Sequence, residues 1–276
     1  MNAVRRDSGE WTIDLVDGRS LKARIVVIAT GIVANPRVPD VPNQDQFKGR
    51  VIHSVEYRRP QPFTNQRVLV VGVGNSAGEI SAELADAGAQ VTVAIRSGAR
   101  VVPREMFGIP IQYLGAALRH LPVPWLRRAM GITGAIGERI RGASPLPPAA
   151  DSTCSPVPLI GFHLTDAVRS GRIRLKPGLS EFTVDGVRFS DGSQQPFDTV
   201  ILATGYRAAL GMLGDAVRRD ACGFAARHDR VISDDCSRMY FVGHNYDVAG
   251  GLRNIAQDAR LAARVIAREL NGTGRR

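Results

Sequence analysis

Residues 67–97 read RVLVVGVGNSAGEISAELADAGAQVTVAIRS. The order is strand, glycine-rich turn, helix, strand, which is one complete βαβ unit of about 30 residues, the length such a unit needs. Ile80 and Leu84 fall on the helix face that would meet a sheet, and Gly88 supplies the helix stop. The fold class that follows is α/β, with a parallel sheet built around this unit.

Within it, Gly72-Val73-Gly74-Asn75-Ser76-Ala77 stands directly after a strand and opens a helix, the context that gives a G-x-G-x-x-G/A match its meaning. The first glycine permits the tight turn and the second lets backbone approach a pyrophosphate. The small third residue lets helix and strand pack closely. The helix N-terminus then presents unpaired N–H groups and a partial positive charge. A binder of NAD would carry Asp or Glu at the end of the second strand, whereas this chain has Arg96-Ser97-Gly98. An arginine pairs with a 2′-phosphate that a carboxylate would repel, and Ser97 adds a donor, so the expected nucleotide is NADP(H).

Towards the N-terminus, residues 10–16 (EWTIDLV) alternate like a half-buried strand, and Asp17-Gly18 supplies a hairpin turn. Residues 25–30 (IVVIAT) are apolar at consecutive positions, which predicts a strand covered on both faces. That run ends at Gly31, and prolines at 36, 39 and 42 hold an extended linker. Towards the C-terminus, residues 111–121 and 124–140 form two short amphipathic stretches, with Leu114, Leu118 and Leu121 on one stripe. A proline-rich loop follows. A helix is expected over 159–170, strands over 173–175, 187–189, 200–203 and 239–242, and a long helix over 254–270 with its alanines on the packing face.

Composition narrows the function classes. The chain has 276 residues, 44% hydrophobic and 22% charged, enough to bury a core. No apolar run reaches the roughly 18 residues of a spanning helix, and the first residues lack a signal-peptide core, so a cytoplasmic protein without a membrane span is expected. The net charge is +10, but only three basic residues are lysines and the arginines are dispersed, so nucleic acid is not the expected partner. Three cysteines form no Cys-x-x-Cys pair, and no metal-ligand cluster is read.

Residues 47–57 (FKGRVIHSVEY) place Phe47, Gly49, His53 and Tyr57 in the pattern F-x-G-x-x-x-H-x-x-x-aromatic. At this point the chain resembles the flavin-containing monooxygenase family, and the tyrosine at the last position favours that branch over the Baeyer–Villiger enzymes. Two Ala-Thr-Gly boxes (residues 29–31 and 203–205), the Gly-x-Gly-Asn-Ser-Ala turn, residues 102–105 and residues 240–243 follow in family order. The stretch after Glu105 looks most like the YUCCA-type and bacterial members. The resemblance implies a two-dinucleotide-binding-domain flavoprotein, with a Rossmann-like NADPH domain inserted in an FAD domain. In such an enzyme NADPH reduces FAD, oxygen adds to give a C4a-hydroperoxyflavin, and one oxygen atom passes to a small-molecule substrate.

On that reading residues 1–62 belong to the FAD domain and an interdomain connector, 63–203 to the NADPH domain, and 204–276 to the rest of the FAD domain. Thr30, Gly31, Thr204, Gly205 and Tyr206 mark the two crossings, and His53 positions NADP without acting as a base. Gly243, Gly251 and Leu252 lie against the flavin, where a helix N-terminus stabilises negative charge. His244 and Asp247 look like an acid/base pair, but a structural role is favoured because nothing sets a substrate beside them. No residue is assigned to catalysis.

Family members begin with their own strand, glycine-rich turn and helix for the ADP part of FAD, a segment of roughly a hundred residues that this sequence does not contain. The FAD domain is therefore expected to be N-terminally incomplete, and three explanations compete: a truncated or mis-started gene product, one half of a split enzyme whose partner supplies the rest, or a protein that has kept only nucleotide binding. An exposed flavin-domain edge would also encourage a homo-oligomer. Three readings stay open: an FAD- and NADPH-dependent monooxygenase that needs the absent segment, a non-catalytic NADP(H)-binding protein, and an NADPH-dependent reductase without oxygen insertion.

Overall fold

The computed structural model describes residues 2–7, 9–106, 108–113, 141–149, 158–245 and 250–273. The chain divides into two compact units, one of residues 1–35 with 206–276 and one of residues 36–205. The first unit opens with β1 (Ala3–Asp7), β2 (Glu10–Asp14), β3 (Ser20–Ala23) and β4 (Val26–Ile28). The second holds β5 (Arg50–His53), β6 (Arg67–Val71), α1 (Asn75–Asp86), β7 (Gln90–Ile95) and α2 (His163–Arg169). It continues through β8 (Ile173–Pro177), β9 (Leu179–Phe182), β10 (Gly186–Phe189), β11 (Gln194–Pro196) and β12 (Thr199–Leu202). The chain then returns to the first unit with β13 (Arg227–His228), β14 (Ile232–Ser233), β15 (Met239–Phe241) and α3 (Gly251–Thr273).

The second unit is a five-stranded parallel sheet in the order β8-β7-β6-β12-β5. Its strands are apolar on both sides because both faces are covered, as parallel strands require. Ala77, Ile80 and Leu84 of α1 and Leu164 of α2 pack on Val68, Val70, Val91 and Val93. On the other face Leu69, Ala94, Val200 and Leu202 meet Phe182, Val187 and Phe189 of the antiparallel sheet β9-β10-β11. The α1 helix ends at Asp86, and Gly88 follows at φ +86° to turn the chain back into β7.

In the first unit β1, β2 and β3 form an antiparallel meander, and β13, β14, β15 and β4 form a four-stranded sheet with β15 and β4 parallel. Trp11, Val26, Ile28, Met239 and Phe241 share one core. On the opposite face of that sheet, Ala262, Leu261, Val265 and Ile266 of α3 pack on Tyr240 and Val242.

The two compact units part at 35/36 and 205/206, and β5 joins the five-stranded sheet beside β12. Three expectations change. The run at residues 25–30 is only partly covered on its second face: β4 is an edge strand with Val26 and Ile28 buried, and on the other face Ile25 packs half-buried against the α3 cluster while Val27 is exposed. Residues 159–160 pair with Val101–Val102 rather than starting a helix, and the helix begins at His163. Ala262 is buried on α3, whereas Ala256, Ala259, Ala263 and Ala267 face outward. The stripe of Leu114, Leu118 and Leu121, most of both amphipathic stretches and the end of the proline-rich loop lie outside the described residues. No described helix is long and apolar enough to cross a membrane.

Candidate functional site

At the C-terminal edge of the parallel sheet, β6 ends at Val71 and the chain turns at Gly72 with φ +123°. The Gly72 N–H donates to the Ala94 carbonyl at 3.0 Å. A Cβ on Gly72 would stand 2.4 Å from the Ala203 carbonyl oxygen, so only glycine fits between the ends of β6 and β12. Gly74 differs: it is the N-cap of α1 in extended backbone, no side chain caps the helix there, and a Cβ would meet open space. The first N–H groups of α1 are therefore left for an anion.

Asn75 turns aside. Its amide donates to the Pro158 carbonyl at 3.1 Å and accepts from the Ile160 N–H at 2.8 Å, which fixes residues 158–160 against α1. Ser76 is exposed at the mouth of the turn, and Ala77 is fully buried in the core. Gly78, which the fingerprint does not single out, is equally constrained: a Cβ there would come within 2.8 Å of Leu159 Cδ1. At the end of β7, Ile95 is buried, Arg96 is exposed and Ser97 is half-buried. The Arg96 stem lies along Gly178, and its guanidinium makes no hydrogen bond or ion pair among the described residues.

His53 ends β5 and is almost fully buried. Its Nδ1 accepts from the Val55 N–H at 3.2 Å, so the proton sits on Nε2, which donates to the Gly205 carbonyl at 3.1 Å. Its backbone N–H donates to Glu56 at 2.9 Å, completing a capping box. Burial lowers the ring pKa against the opposing pull of the Gly205 carbonyl and Glu56. A neutral ring bonded on both nitrogens is a brace for the second Ala-Thr-Gly box. The box is pinned from the other side as well: the Arg37 N–H donates to the Gly205 carbonyl at 2.9 Å, and the Thr204 hydroxyl donates to the Arg37 carbonyl. Gly205 sits at φ +83°, and Tyr206 follows half-buried.

In the first unit, β4 and β15 run parallel and end side by side, which brings Thr30-Gly31 and Gly243 to one edge of their sheet. The Thr30 hydroxyl donates to the Ala209 carbonyl at 2.9 Å. The Gly243 N–H donates to Asp258 at 3.2 Å. Gly251 and Leu252, which open α3, are exposed.

Sequence reasoning missed the group that holds this edge. Asp258 is fully buried and accepts from Arg230 (3.1 and 2.9 Å), the Gly243 N–H and the Asn245 amide (2.8 Å). Arg230 also donates to buried Asn254 at 3.0 Å. Asn254 and Asp258, one turn apart in an alanine-rich helix, were the available signal.

His244 is fully buried between the rings of Phe224 and Phe241, with centroids at 6.3 and 5.4 Å, and neither ring nitrogen is bonded among the described residues. Asp247 lies outside the described residues. Burial, and then the charge of Arg227, hold the His244 pKa down at about 4 against the pull of Asp258. The unfolded chain therefore takes up this proton first. Its share of stability is complete above about pH 6.5 and falls by about 1.4 kcal/mol per unit as the pH drops towards 4. His244→Phe is expected to flatten that part of the profile. Urea midpoints of the two proteins at pH 7 and pH 5 check this, and parallel losses would refute it.

The family model for flavin-binding monooxygenase-like proteins matches residues 6–266. The chain is 39% identical over 209 residues to the indole-3-pyruvate monooxygenase YUCCA1 of Oryza sativa subsp. japonica, covering 72% of this chain and 51% of that protein. It is 33% identical over 216 residues to the probable indole-3-pyruvate monooxygenase YUCCA1 of Arabidopsis thaliana, covering 75% and 52%. The chain thus spans about half the length of the relatives it matches. A flavin monooxygenase from Stenotrophomonas maltophilia superposes with a TM-score of 0.71 at 21% identity, over 98% of this chain and 70% of that one. Cyclohexanone monooxygenase from Rhodococcus sp. Phi1, bound to NADP+, gives 0.69 at 16% identity, over 98% and 65%. The fold is that of these two-dinucleotide-binding flavoproteins.

Proposed function

The chain belongs to the flavin-binding monooxygenase-like family, and from that premise we propose that it is the NADPH-binding part of a flavin monooxygenase, joined to part of its FAD domain. The observation that carries the nucleotide assignment is the turn at residues 72–77. It has a sterically required glycine, an open helix N-terminus, and an arginine where a carboxylate would stand. Gly72, Gly74, Ser76 and Ala77 would hold the pyrophosphate, with Asn75 bracing the turn. Arg96 and Ser97 would hold the 2′-phosphate, and His53 would keep Thr204, Gly205 and Tyr206 in place. In the first unit Thr30, Gly31, Gly243, Gly251 and Leu252 would line FAD, whose ADP-binding half comes from another segment or partner. When bound, the flavin supplies reduction by NADPH and transfer of one oxygen atom from O2 to a small-molecule substrate.

The test is a melting curve with NADP+ and with NAD+. NADP+ is expected to raise the melting temperature and NAD+ to do so less. Arg96→Ala is expected to weaken NADPH binding by about 1–3 kcal/mol and NADH binding hardly at all. Equal losses for the two would remove the 2′-phosphate assignment. One observation favours a non-catalytic NADP(H) binder instead: the Thr30 hydroxyl and the Gly243 N–H are already spent inside the first unit. Purified protein that binds NADP+ and shows no yellow flavin absorption after FAD is added would support that second reading. A reductase without oxygen insertion would bind both and leave NADPH oxidation unresponsive to substrate.

A further inference from the structure

β7 ends at Ile95, and its pairing with β8 stops there, opposite Pro177. Arg96, Ser97 and Gly98 run on beyond the sheet, where a turn swings freely unless something ties it. On the β8 side the Arg96 stem rests on Gly178. On the other side lies part of the proline-rich stretch, which the nucleotide reading leaves without a role. The Gly98 N–H donates to the Pro148 carbonyl at 3.1 Å, and Gly98 bridges Ala149 in parallel register. A Cβ on Gly98 would overlap the Pro147 carbonyl and stand 3.0 Å from the Pro148 oxygen. Gly98 has no positive φ, so glycine is needed there for the crossing chain and not for the turn itself.

The crossing chain is fixed to the body of the unit. Leu146 is 6% exposed and shares the core of Val93 and Ile95. Arg169 of α2 donates to the carbonyls of Gly142 and Ala143 at 3.0 and 2.9 Å. The Arg141 guanidinium stands 4.1 Å from the Phe162 ring centroid and pairs with Asp166 at 3.2 Å. A piece of chain anchored to α2 and to the core thus presses on the turn two residues after Arg96.

We propose that residues 144–149 are a strap that sets Arg96 and Ser97 for the 2′-phosphate. Gly98 and Leu146 are then positioning residues for the choice of NADP(H) over NAD(H). The proposal rests on the nucleotide reading given above and adds to it what holds the selecting pair. A phosphate is recognised through directed, charge-assisted bonds, so their donors must be held in place. A turn that has to be ordered on binding gives up affinity. With the main chain tied at Gly98, that ordering is complete before the nucleotide arrives. The pyrophosphate is assigned to residues 72–77, which the strap does not touch, so loosening the strap acts on the 2′-phosphate alone. The coupling is reciprocal: NADP+ tightens the strap and NAD+ does not.

Dissociation constants for NADP+ and NAD+, measured by calorimetry on the full chain, test this. Gly98→Ala is expected to lower the preference for NADP+ over NAD+ at least fivefold, with NAD+ affinity unchanged. Leu146→Ala, which withdraws the strap's apolar anchor, is expected to lower it at least threefold, and Leu146→Met to restore it. Should Gly98→Ala fail the circular dichroism check of folding, the Leu146 pair decides. In the parent protein NADP+ is expected to slow amide exchange at Gly98 more than NAD+ does. A preference unchanged in Gly98→Ala and Leu146→Ala, or affinities for both nucleotides that fall together, would overturn the proposal. If Arg96→Ala nevertheless lowers the preference, the strap alone is overturned. If Arg96→Ala leaves it unchanged, the 2′-phosphate assignment falls as well.

Discussion

Gly72→Ala is expected to lower the unfolding free energy by on the order of 4 kcal/mol, through a strained φ (about 1–3 kcal/mol) and an overlap in a packed site (about 1–3 kcal/mol). The backbone at residue 72 has φ +123°, and the added methyl would stand 2.4 Å from the Ala203 carbonyl oxygen, which is itself fixed in the run out of β12. Neither neighbour can move without breaking the pairing of β6 with β12. A urea titration with unchanged slope and a much lower midpoint is the expected result. Gly74→Ala is the contrast. Its backbone is extended and its Cβ would meet open space, so stability should hardly change. On the proposed nucleotide assignment the methyl would stand where the pyrophosphate approaches, so NADP+ affinity should fall. A Gly72→Ala protein as stable as the parent would show that the two strand ends are not held at this distance.

Asp258→Ala is expected to cost on the order of 3 kcal/mol, because it removes the fully buried carboxylate of an ion pair and three donors lose their acceptor, while the partly exposed Arg230 guanidinium recovers some hydration. The loss leaves the Arg230 guanidinium, the Gly243 N–H and the Asn245 amide without their acceptor. Asp258→Asn should restore little, because one acceptor oxygen becomes an NH2 facing donors. Arg230→Met added to Asp258→Ala should cost much less than it does alone, since the two act as one group. Thermal or urea unfolding of the four proteins gives that cycle. Strict additivity would mean that Arg230 and Asp258 are held by their surroundings rather than by each other.

Much of the second unit is legible in the sequence because its signals are local. The βαβ run at residues 67–97 carries its own period, turn and stop, and it folds as β6, α1 and β7. The apolar run before Gly31 misleads for a physical reason. Consecutive valines and isoleucines mark a strand, but which of its faces is covered depends on neighbours remote in sequence, and β4 lies at an edge. The alanines of α3 mislead in the same way, since a small side chain suits a packed face and an open one alike. Of the group around Asp258, only the pair Asn254 and Asp258, one turn apart on α3, could be seen in the sequence. The group joins a hairpin residue, the turn after β15 and the second turn of α3, and no spacing rule links the three. His53 was identified by its motif, but its role as a donor to Gly205 emerges only when residues 53 and 205 are seen together.

The bonds from Arg37 and His53 to Gly205 carry a consequence for ancestry. The first and last residues of a 170-residue body stand side by side, tied by main-chain and ring hydrogen bonds. A body closed in this way can be spliced into a loop of a host with little loop-closure entropy. Such a cassette can outlast the enzyme around it.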